Sequence, residues 1–218
     1  MAKLETWMGI DAGYGMPGLA LAKVNTDDRG YCQPGEFIHA EGFVCPMKIG
    51  AKNKRIFKKL TQTKKDCLVI QDTTVRILEL IKLHKPSKII VELPTGGAKS
   101  SSAIKGMAMA TAMTIATLET LSYVYRDGFP WGTNQIVTIT PMDNKKGSTN
   151  VKKWAAADHD ESKWLVWQAV NKVWLTVPWP KMKIKKDEYE PLHCWAMADA
   201  LSCILTHIKD LNEHLPLI

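Results

Sequence analysis

An acid at the end of the first apolar run is the feature that most constrains this chain. The apolar residues 7–10 (Trp-Met-Gly-Ile) run directly into Asp11, and Gly13, Gly15 and Gly18 follow. A short continuous apolar run bounded by turn residues is typical of a buried strand. An ionised carboxylate at the tip of such a strand is costly unless something positive pairs with it. Taken alone, Asp11 is interpreted as a turn carboxylate that caps a loop.

Two later acids lie in segments with the same core-like pattern. Glu92 closes the apolar run 89–91, and Asp199 lies inside the apolar helical pattern of residues 193–208. For Asp199, the alternative is a carboxylate paired with a core lysine or histidine. Three such acids together favour a divalent cation, because oxygen ligands suit Mg²⁺ or Mn²⁺ better than zinc. We therefore predict that Asp11, Glu92 and Asp199 bind Mg²⁺, for which Mn²⁺ substitutes.

A carboxylate site of this kind fits one reaction class in particular. Two divalent ions roughly 3.5 to 4 Å apart activate a water and stabilise the leaving oxygen in phosphodiester hydrolysis. The net charge of +7, from 29 Lys and Arg against 22 Asp and Glu, favours an anionic partner, and nucleic acid is the first candidate. The expected chemistry is therefore hydrolysis of a nucleic-acid backbone.

Hydrophobic periodicity predicts alternating strands and helices. Strands are expected at residues 7–10, 19–24, 36–44, 88–92 and 135–140, and the short links between the first three favour an antiparallel meander. Helices are expected at about 66–83, with Asp66 as the N-cap, and at 103–125, 161–174 and 191–209. Residues 141–153 and 178–190 are expected to form loops.

Length and cysteine content limit the class of protein. With 218 residues, 45% of them hydrophobic, the chain can bury a sizeable core, and we expect one domain over residues 1–218. The five cysteines include no CxxC pair, so they indicate neither a zinc site nor a disulfide framework and favour a reducing cytoplasm. Neither a signal peptide nor a membrane-spanning stretch is evident, so a cytoplasmic protein without a membrane partner is expected.

Basic residues are concentrated between positions 48 and 65, where no acid occurs. A solvated basic face and a phosphate-contacting patch remain alternatives for this segment. In the second case Lys54, Arg55 and Lys58 are candidate DNA contacts. Tryptophans 164, 167 and 174 recur at helical spacing, which favours core packing, with base stacking as the alternative.

The order of these motifs resembles the RuvC-type Holliday-junction resolvases of the ribonuclease H-like superfamily. The resemblance covers residues 9–13 with the following hairpin, residues 90–92 with the serine-rich loop and long helix after them, and residues 197–201 running to Thr206 and His207. It implies an α/β fold with a mixed five-stranded sheet, its first three strands antiparallel, and helices on both faces. It also implies catalysis by Asp11, Glu92 and Asp199 with Mg²⁺, in a homodimer that nicks opposing strands of a four-way DNA junction.

The resemblance also implies lysines beside the scissile phosphate. The matching positions are Lys152 and Lys163, which are therefore candidate catalytic residues, with Lys145 and Lys146 as competitors in the same expected loop. A lysine can hold a phosphate and offset the charge that builds up during cleavage. A solvated loop lysine is the alternative for each of them. The further candidate DNA contacts are Lys145, Lys146 and Lys153, and, in the loop after Glu92 that we expect nearest the crossover, Lys99, Ser100 and Ser101.

One position departs from the family pattern. The family places a fourth metal ligand, an aspartate or a histidine, one helical turn before the last aspartate, where this chain has Ala196. His193 lies six residues before Asp199, about 120° away around the helix, and cannot replace that ligand in a continuous helix. Acids that remain candidates lie at positions 160, 187, 188 and 190.

Three functions remain open. The first is a metal-dependent endonuclease acting on four-way or other branched DNA, encoded by a bacteriophage and active in the host cytoplasm. The second is a noncatalytic or weakly active branched-DNA-binding protein of the same fold, for which Ala196 is the best argument. The third is an ATPase of the actin and sugar-kinase type, since residues 9–13 also resemble the first phosphate motif of those enzymes. Such ATPases need two domains around the nucleotide, and 218 residues supply one.

Overall fold

A computed structural model describes residues 3–14, 16–43, 59–94, 100–124, 136–149, 159–179, 182–184, 187–189 and 192–215. Its strands are β1 (Lys3–Asp11), β2 (Gly18–Thr26), β3 (Cys32–Gly42), β4 (Lys88–Glu92), β5 (Ile136–Ile139), β6 (Met182–Ile184) and β7 (Asp187–Tyr189). Its helices are α1 (Gln62–His84), α2 (Ser101–Val124), α3 (Pro141–Thr149), α4 (His159–Val173) and α5 (Leu192–Glu213). Within these ranges, no helix is long and apolar enough to cross a membrane.

Five of the strands form one mixed sheet in the order β3-β2-β1-β4-β5. The β1–β2 and β2–β3 pairs are antiparallel, whereas β4 runs parallel to β1 and β5 runs parallel to β4. The parallel pairs require crossover connections, and α1 and α2 provide them. The expected meander and the mixed five-stranded sheet are confirmed.

The sheet separates two apolar layers, because successive strand residues point to opposite faces. On one face, Trp7 and Ile90 belong to a buried cluster with residues of α4 and α5. On the other face, Met8 and Ile89 belong to a cluster with residues of α1 and α2. Because both faces are covered, the central strands are apolar without alternation, as expected for strands buried on both sides. Helices on both faces are therefore confirmed.

Helix α5 lies unusually close to the sheet, and two glycines make this approach possible. A Cβ atom built on Gly9 would stand 1.9 Å from the carbonyl oxygen of Ala200, and one built on Gly18 would stand 1.9 Å from that of Ala196. Both contacts are with helix backbone, which cannot rotate away as a side chain can. Helix α5 therefore crosses β1 and β2 in close backbone contact at Gly9 and Gly18.

Three local expectations were wrong. Helix α1 begins after Thr61, whose hydroxyl accepts from the Lys64 backbone N–H at 3.4 Å, so Asp66 is not the N-cap. Asp66 instead lies inside α1, where its carboxylate accepts from Lys105 at 2.6 Å and from Tyr14. The segment 178–190 includes the short antiparallel pair β6–β7 rather than being wholly a loop.

The third error concerns the segment after β5, which begins with helix α3 rather than a loop. Thr140 accepts from the Asp143 backbone N–H at 3.1 Å, and Pro141 occupies the first helical position, where its missing N–H costs nothing. This Thr-Pro start was present in the sequence. Lys145 and Lys146 consequently lie on a helix, not in a loop.

Replacing Gly9 with alanine should destabilise the fold by about 3 kcal/mol, the upper end of the range for overpacking, because helix backbone must move to admit the methyl group. Gly106→Ala in α2 is the matched control. The atoms nearest to its Cβ would belong to the Tyr14 side chain, the closest at 3.1 Å, and alanine also gains about 1 kcal/mol of helix propensity. Urea unfolding measures both. Equal stability of Gly9→Ala and wild type would contradict the close approach of α5.

Stability should also fall as the pH is lowered from about 6.5 to 4 through His207. Burial and the nearby Lys88 ammonium lower the pKa of His207 from 6.5 to about 4. The unfolded chain therefore binds a proton that the native protein does not, at a cost of about 3 kcal/mol. His207→Gln should remove this part of the pH dependence of unfolding, whereas His214→Gln, at an exposed site, should not. An unchanged slope in His207→Gln would contradict the assignment.

Candidate active site

The three acids singled out in the sequence lie together at one edge of the sheet. Asp11 ends β1 and is paired in register with Glu92, which ends the parallel neighbour β4. Asp199 lies on α5, the helix that crosses β1 and β2, and only 3% of it is exposed. Cys203, one turn further along α5, is also fully buried and accepts from the Asn144 amide at 3.5 Å.

The charges of these acids oppose one another in the folded protein. Burial, together with the charges of Glu92 and Asp199, raises the pKa of Asp11 well above its usual range. Burial and the charge of Asp199 raise the pKa of Glu92 to about 7. Both shifts require that the carboxylates lie within reach of each other's field. The fold therefore gathers three carboxyl groups at a point where solvent screens their charges only in part.

Lys163 supplies a positive charge inside this group. It lies on α4, and its ammonium makes an ion pair with Oδ2 of Asp199. Burial disfavours the ammonium, but the carboxylates of Asp199, Asp11 and Glu92 together outweigh this effect and raise the pKa of Lys163 above its usual range. Lys163 is therefore protonated and fixed among the acids.

Lys145 lies at the margin of the same group. Its ammonium donates to the Ser162 hydroxyl at 3.4 Å, and its charge helps to lower the pKa of Glu92 against the effects of burial. Lys146, its neighbour on α3, is exposed. Of the candidate lysines within the described residues, the structure thus brings Lys163 and Lys145 to the acids.

Other predicted residues lie elsewhere or outside the described residues. Ser100 accepts from the Ala103 backbone N–H at 3.2 Å and so caps α2, on which Ser101 is exposed. The candidates outside the described residues are Lys54, Arg55, Lys58, Lys99, Lys152 and Lys153.

The structure describes the residue that occupies the position of the fourth ligand, Ala196. Ala196 is buried, and its carbonyl oxygen packs against Gly18 of β2. The alternative acids at positions 187 and 188 lie on β7, and the one at position 160 lies on α4. Position 190 is outside the described residues.

Sequence reasoning missed Asn144, which lies on α3 and is 1% exposed. Its side-chain amide donates to the Glu92 carboxylate and to the Asp199 carbonyl oxygen. The missed signal was again the Thr140-Pro141 helix start, because a helix at that point turns the residue at 144 toward α5. Nothing in the sequence indicates its partners.

The side chains of this site have the chemistry that a hard divalent cation requires. Asp11, Glu92 and Asp199 offer only oxygen ligands, and Lys163 makes an ion pair with one of them. In the arrangement found here, no three His, Cys, Asp or Glu side chains of the described ranges form a ready-made metal-binding cluster. A cation would therefore meet three neighbouring carboxyl groups that attract it, and not a preformed shell of metal ligands.

The sheet order, its mixed directions and the helices on both faces define a ribonuclease H-like fold. Among solved structures, RuvC of Thermus thermophilus in complex with Holliday junction substrate aligns at a TM-score of 0.57 and 15% identity, covering 96% of each chain. A second T. thermophilus RuvC structure gives 0.56 and 17%, covering 96% of this chain and 97% of that one. The yeast mitochondrial Holliday junction resolvase gives 0.50 and 12%, covering 95% and 80%.

These likenesses establish the fold, which is that of the RuvC-type resolvases over nearly the whole chain. Their sources, a bacterium and yeast mitochondria, give no support to the expected bacteriophage origin. No family model matches this sequence. No curated protein matches it either.

The balance of charge predicts opposite effects of two substitutions on stability in a chelating buffer. Asp11→Asn should raise the free energy of unfolding by about 1 kcal/mol, because it removes one of three repelling acids. Lys163→Met should lower it by about 2 to 4 kcal/mol, because it leaves buried carboxylates unpaired. Lys172→Met, at an exposed position of the same helix, is the control and should change little. Stabilisation by Lys163→Met would contradict this account.

Proposed function

We propose that this protein is a metal-dependent, structure-specific endodeoxyribonuclease that cleaves four-way or other branched DNA junctions by phosphodiester hydrolysis. The observation that carries the proposal is the gathering of Asp11, Glu92 and Asp199, three mutually repelling acids of which Asp199 is buried and the other two are partly buried, around one ammonium. Structural cores avoid such a surplus of charge because it destabilises them. A fold shared with two Holliday junction resolvases adds support for the substrate class.

Each part of the site has a role in this proposal. Asp11, Glu92 and Asp199 would hold Mg²⁺, with Mn²⁺ as a substitute. The bound metal supplies an activated water and stabilisation of the leaving oxygen. Lys163 keeps its proton and orients Asp199 through their ion pair. Lys145, at the margin of the acids, is placed to contact a phosphate of the substrate, and we propose it in place of Lys152 as the second catalytic lysine.

Branched DNA and a second copy of the chain are the proposed partners. The net charge of +7 suits a DNA backbone, and phosphate contacts supply most of the affinity in such complexes. We propose that the chain acts as a single nuclease domain and as a homodimer, since two sites are needed to cut two opposing strands of one junction.

A second candidate is a noncatalytic or weakly active junction-binding protein. The buried Ala196 favours it, because an alanine lies where the resolvases of this fold have a further metal ligand. The two candidates share the fold and the substrate class, and they differ only in whether the strands are cut.

Cleavage of a synthetic four-way junction with Mg²⁺ tests the proposal. Wild type should cut the junction and lose this activity in EDTA. Asp11→Asn should cut more than about 100-fold more slowly, because a metal ligand is lost, while binding the junction with similar affinity in Ca²⁺.

Glu119→Gln, at an exposed position of α2, is the control and should cut at the wild-type rate. Junction binding by a folded wild type that cuts in neither Mg²⁺ nor Mn²⁺ would favour the noncatalytic candidate. Failure of the folded wild-type protein to bind the junction would contradict both candidate functions.

A further inference from the structure

Asn144 makes an unusually complete set of hydrogen bonds for a buried residue. Its Nδ2 donates to Oε2 of Glu92 and, at 3.1 Å, to the carbonyl oxygen of Asp199. Its Oδ1 accepts from the Ser202 hydroxyl at 2.9 Å and from the Thr206 hydroxyl at 3.1 Å. Both donors and both acceptor positions of the amide are therefore used.

The surroundings fix which way this amide points. If it were flipped, Oδ1 would face the Glu92 carboxylate and the Asp199 carbonyl oxygen, which are both acceptors. The Glu92 carboxylate would then lose a donor, and leaving an acceptor unsatisfied costs about 1 to 3 kcal/mol, or more for a charged group. Ser202 and Thr206, as hydroxyl donors on α5, match the orientation found.

Close packing of α3 on α5 holds Asn144 in this place. A Cβ atom on Gly147, one turn further along α3, would stand 2.4 Å from Cγ2 of Thr206. The single proton of the Thr206 hydroxyl is shared between Oδ1 and the backbone carbonyl oxygen of Asn144, which lies 2.9 Å from the hydroxyl oxygen. Asn144 is thus fixed through its side chain and its backbone, and it joins β4, α3 and α5 at one point.

The chemistry of an amide suits this position better than that of a cation. Lys163 neutralises part of the charge that attracts a metal, and it occupies an oxygen of Asp199. Asn144 restrains the Glu92 carboxylate through one oxygen without adding charge, so the attraction of the site for a divalent cation is kept. Partners that orient metal ligands in this way typically change metal affinity by about 10- to 100-fold when they are removed.

We propose that Asn144 is a positioning residue that sets the orientation of Glu92 relative to Asp199 for binding of a divalent cation. This inference rests on the proposed function, since it assumes that these acids hold the metal. It assigns to a neutral residue of α3 a role that neither the sequence motifs nor the fold comparison indicates.

Binding of Mn²⁺ to the DNA-free protein, followed by electron paramagnetic resonance, tests the proposal directly. Asn144→Leu, which keeps the branched shape and the number of heavy atoms but removes the hydrogen bonds, should weaken Mn²⁺ affinity about 10- to 100-fold. Ser202→Ala removes one bond to Oδ1 and should weaken it about 3-fold. Ser202→Ala also provides the result if Asn144→Leu does not fold.

Asn212→Leu is a matched control for a structural role. Asn212 lies on α5 and, like Asn144, bridges separate elements, donating to the Cys32 carbonyl oxygen and accepting from the Cys32 backbone N–H, both at 2.8 Å. It should lower thermal stability and leave Mn²⁺ affinity within about 2-fold of wild type. An equal loss of Mn²⁺ affinity in Asn212→Leu would make the effect of Asn144 a general consequence of destabilisation and overturn the proposal.

Cleavage separates this inference from the proposed function. In Asn144→Leu, the Mg²⁺ concentration for half-maximal junction cleavage should rise about 10-fold or more, with junction affinity in Ca²⁺ unchanged. Wild-type Mn²⁺ affinity in folded Asn144→Leu and in Ser202→Ala would overturn the positioning role and leave the nuclease intact. No Mn²⁺ binding by wild type would overturn the proposed function, and the positioning role with it.

Discussion

The close approach of helix α5 to strands β1 and β2 is the constraint on which the site depends. The helix touches the strands where Gly9 and Gly18 lack a side chain, so its carbonyl groups lie against strand backbone. This contact sets the distance between α5 and the sheet. Asp199 is thereby brought to the edge where Asp11 and Glu92 end their strands. A longer separation would weaken the repulsion among the carboxylates and their hold on Lys163, because both depend on distance in a medium of low dielectric constant.

The acids are held together by two different kinds of partner. Lys163 offsets charge, and its ion pair with Asp199 stabilises the fold without a metal. Asn144 restrains Glu92 and contributes no charge. A site held by lysines alone would lose its attraction for a divalent cation, and one held by amides alone would be strongly destabilised by repulsion. The combination keeps a surplus of negative charge in a folded protein, as expected where stability is traded for function.

How far the sequence could predict the site is clearest from individual residues. Asp11, Glu92 and Asp199 each interrupt an apolar pattern, and an acid in such a place can be recognised from the sequence alone. Lys163 was found through the motif order. Lys145 was assigned to a loop, because the Thr140-Pro141 helix start was overlooked. Asn144 could not be found, because asparagine is common in loops and its significance lies in partners from β4 and α5 that are distant in sequence.

The sequence by itself determined where the five strands of the main sheet lie along the chain, the antiparallel pairing of the first three and the identity of the acids. These are local properties, written in periodicity and in the residues that bound each run. Only the tertiary structure decided how close the acids stand, which lysine pairs with Asp199 and which amide restrains Glu92. Those relations depend on the packing of α3, α4 and α5 against the sheet. Packing is set by contacts between residues far apart in the chain, and a pattern of neighbouring residues does not show which distant residues come into contact.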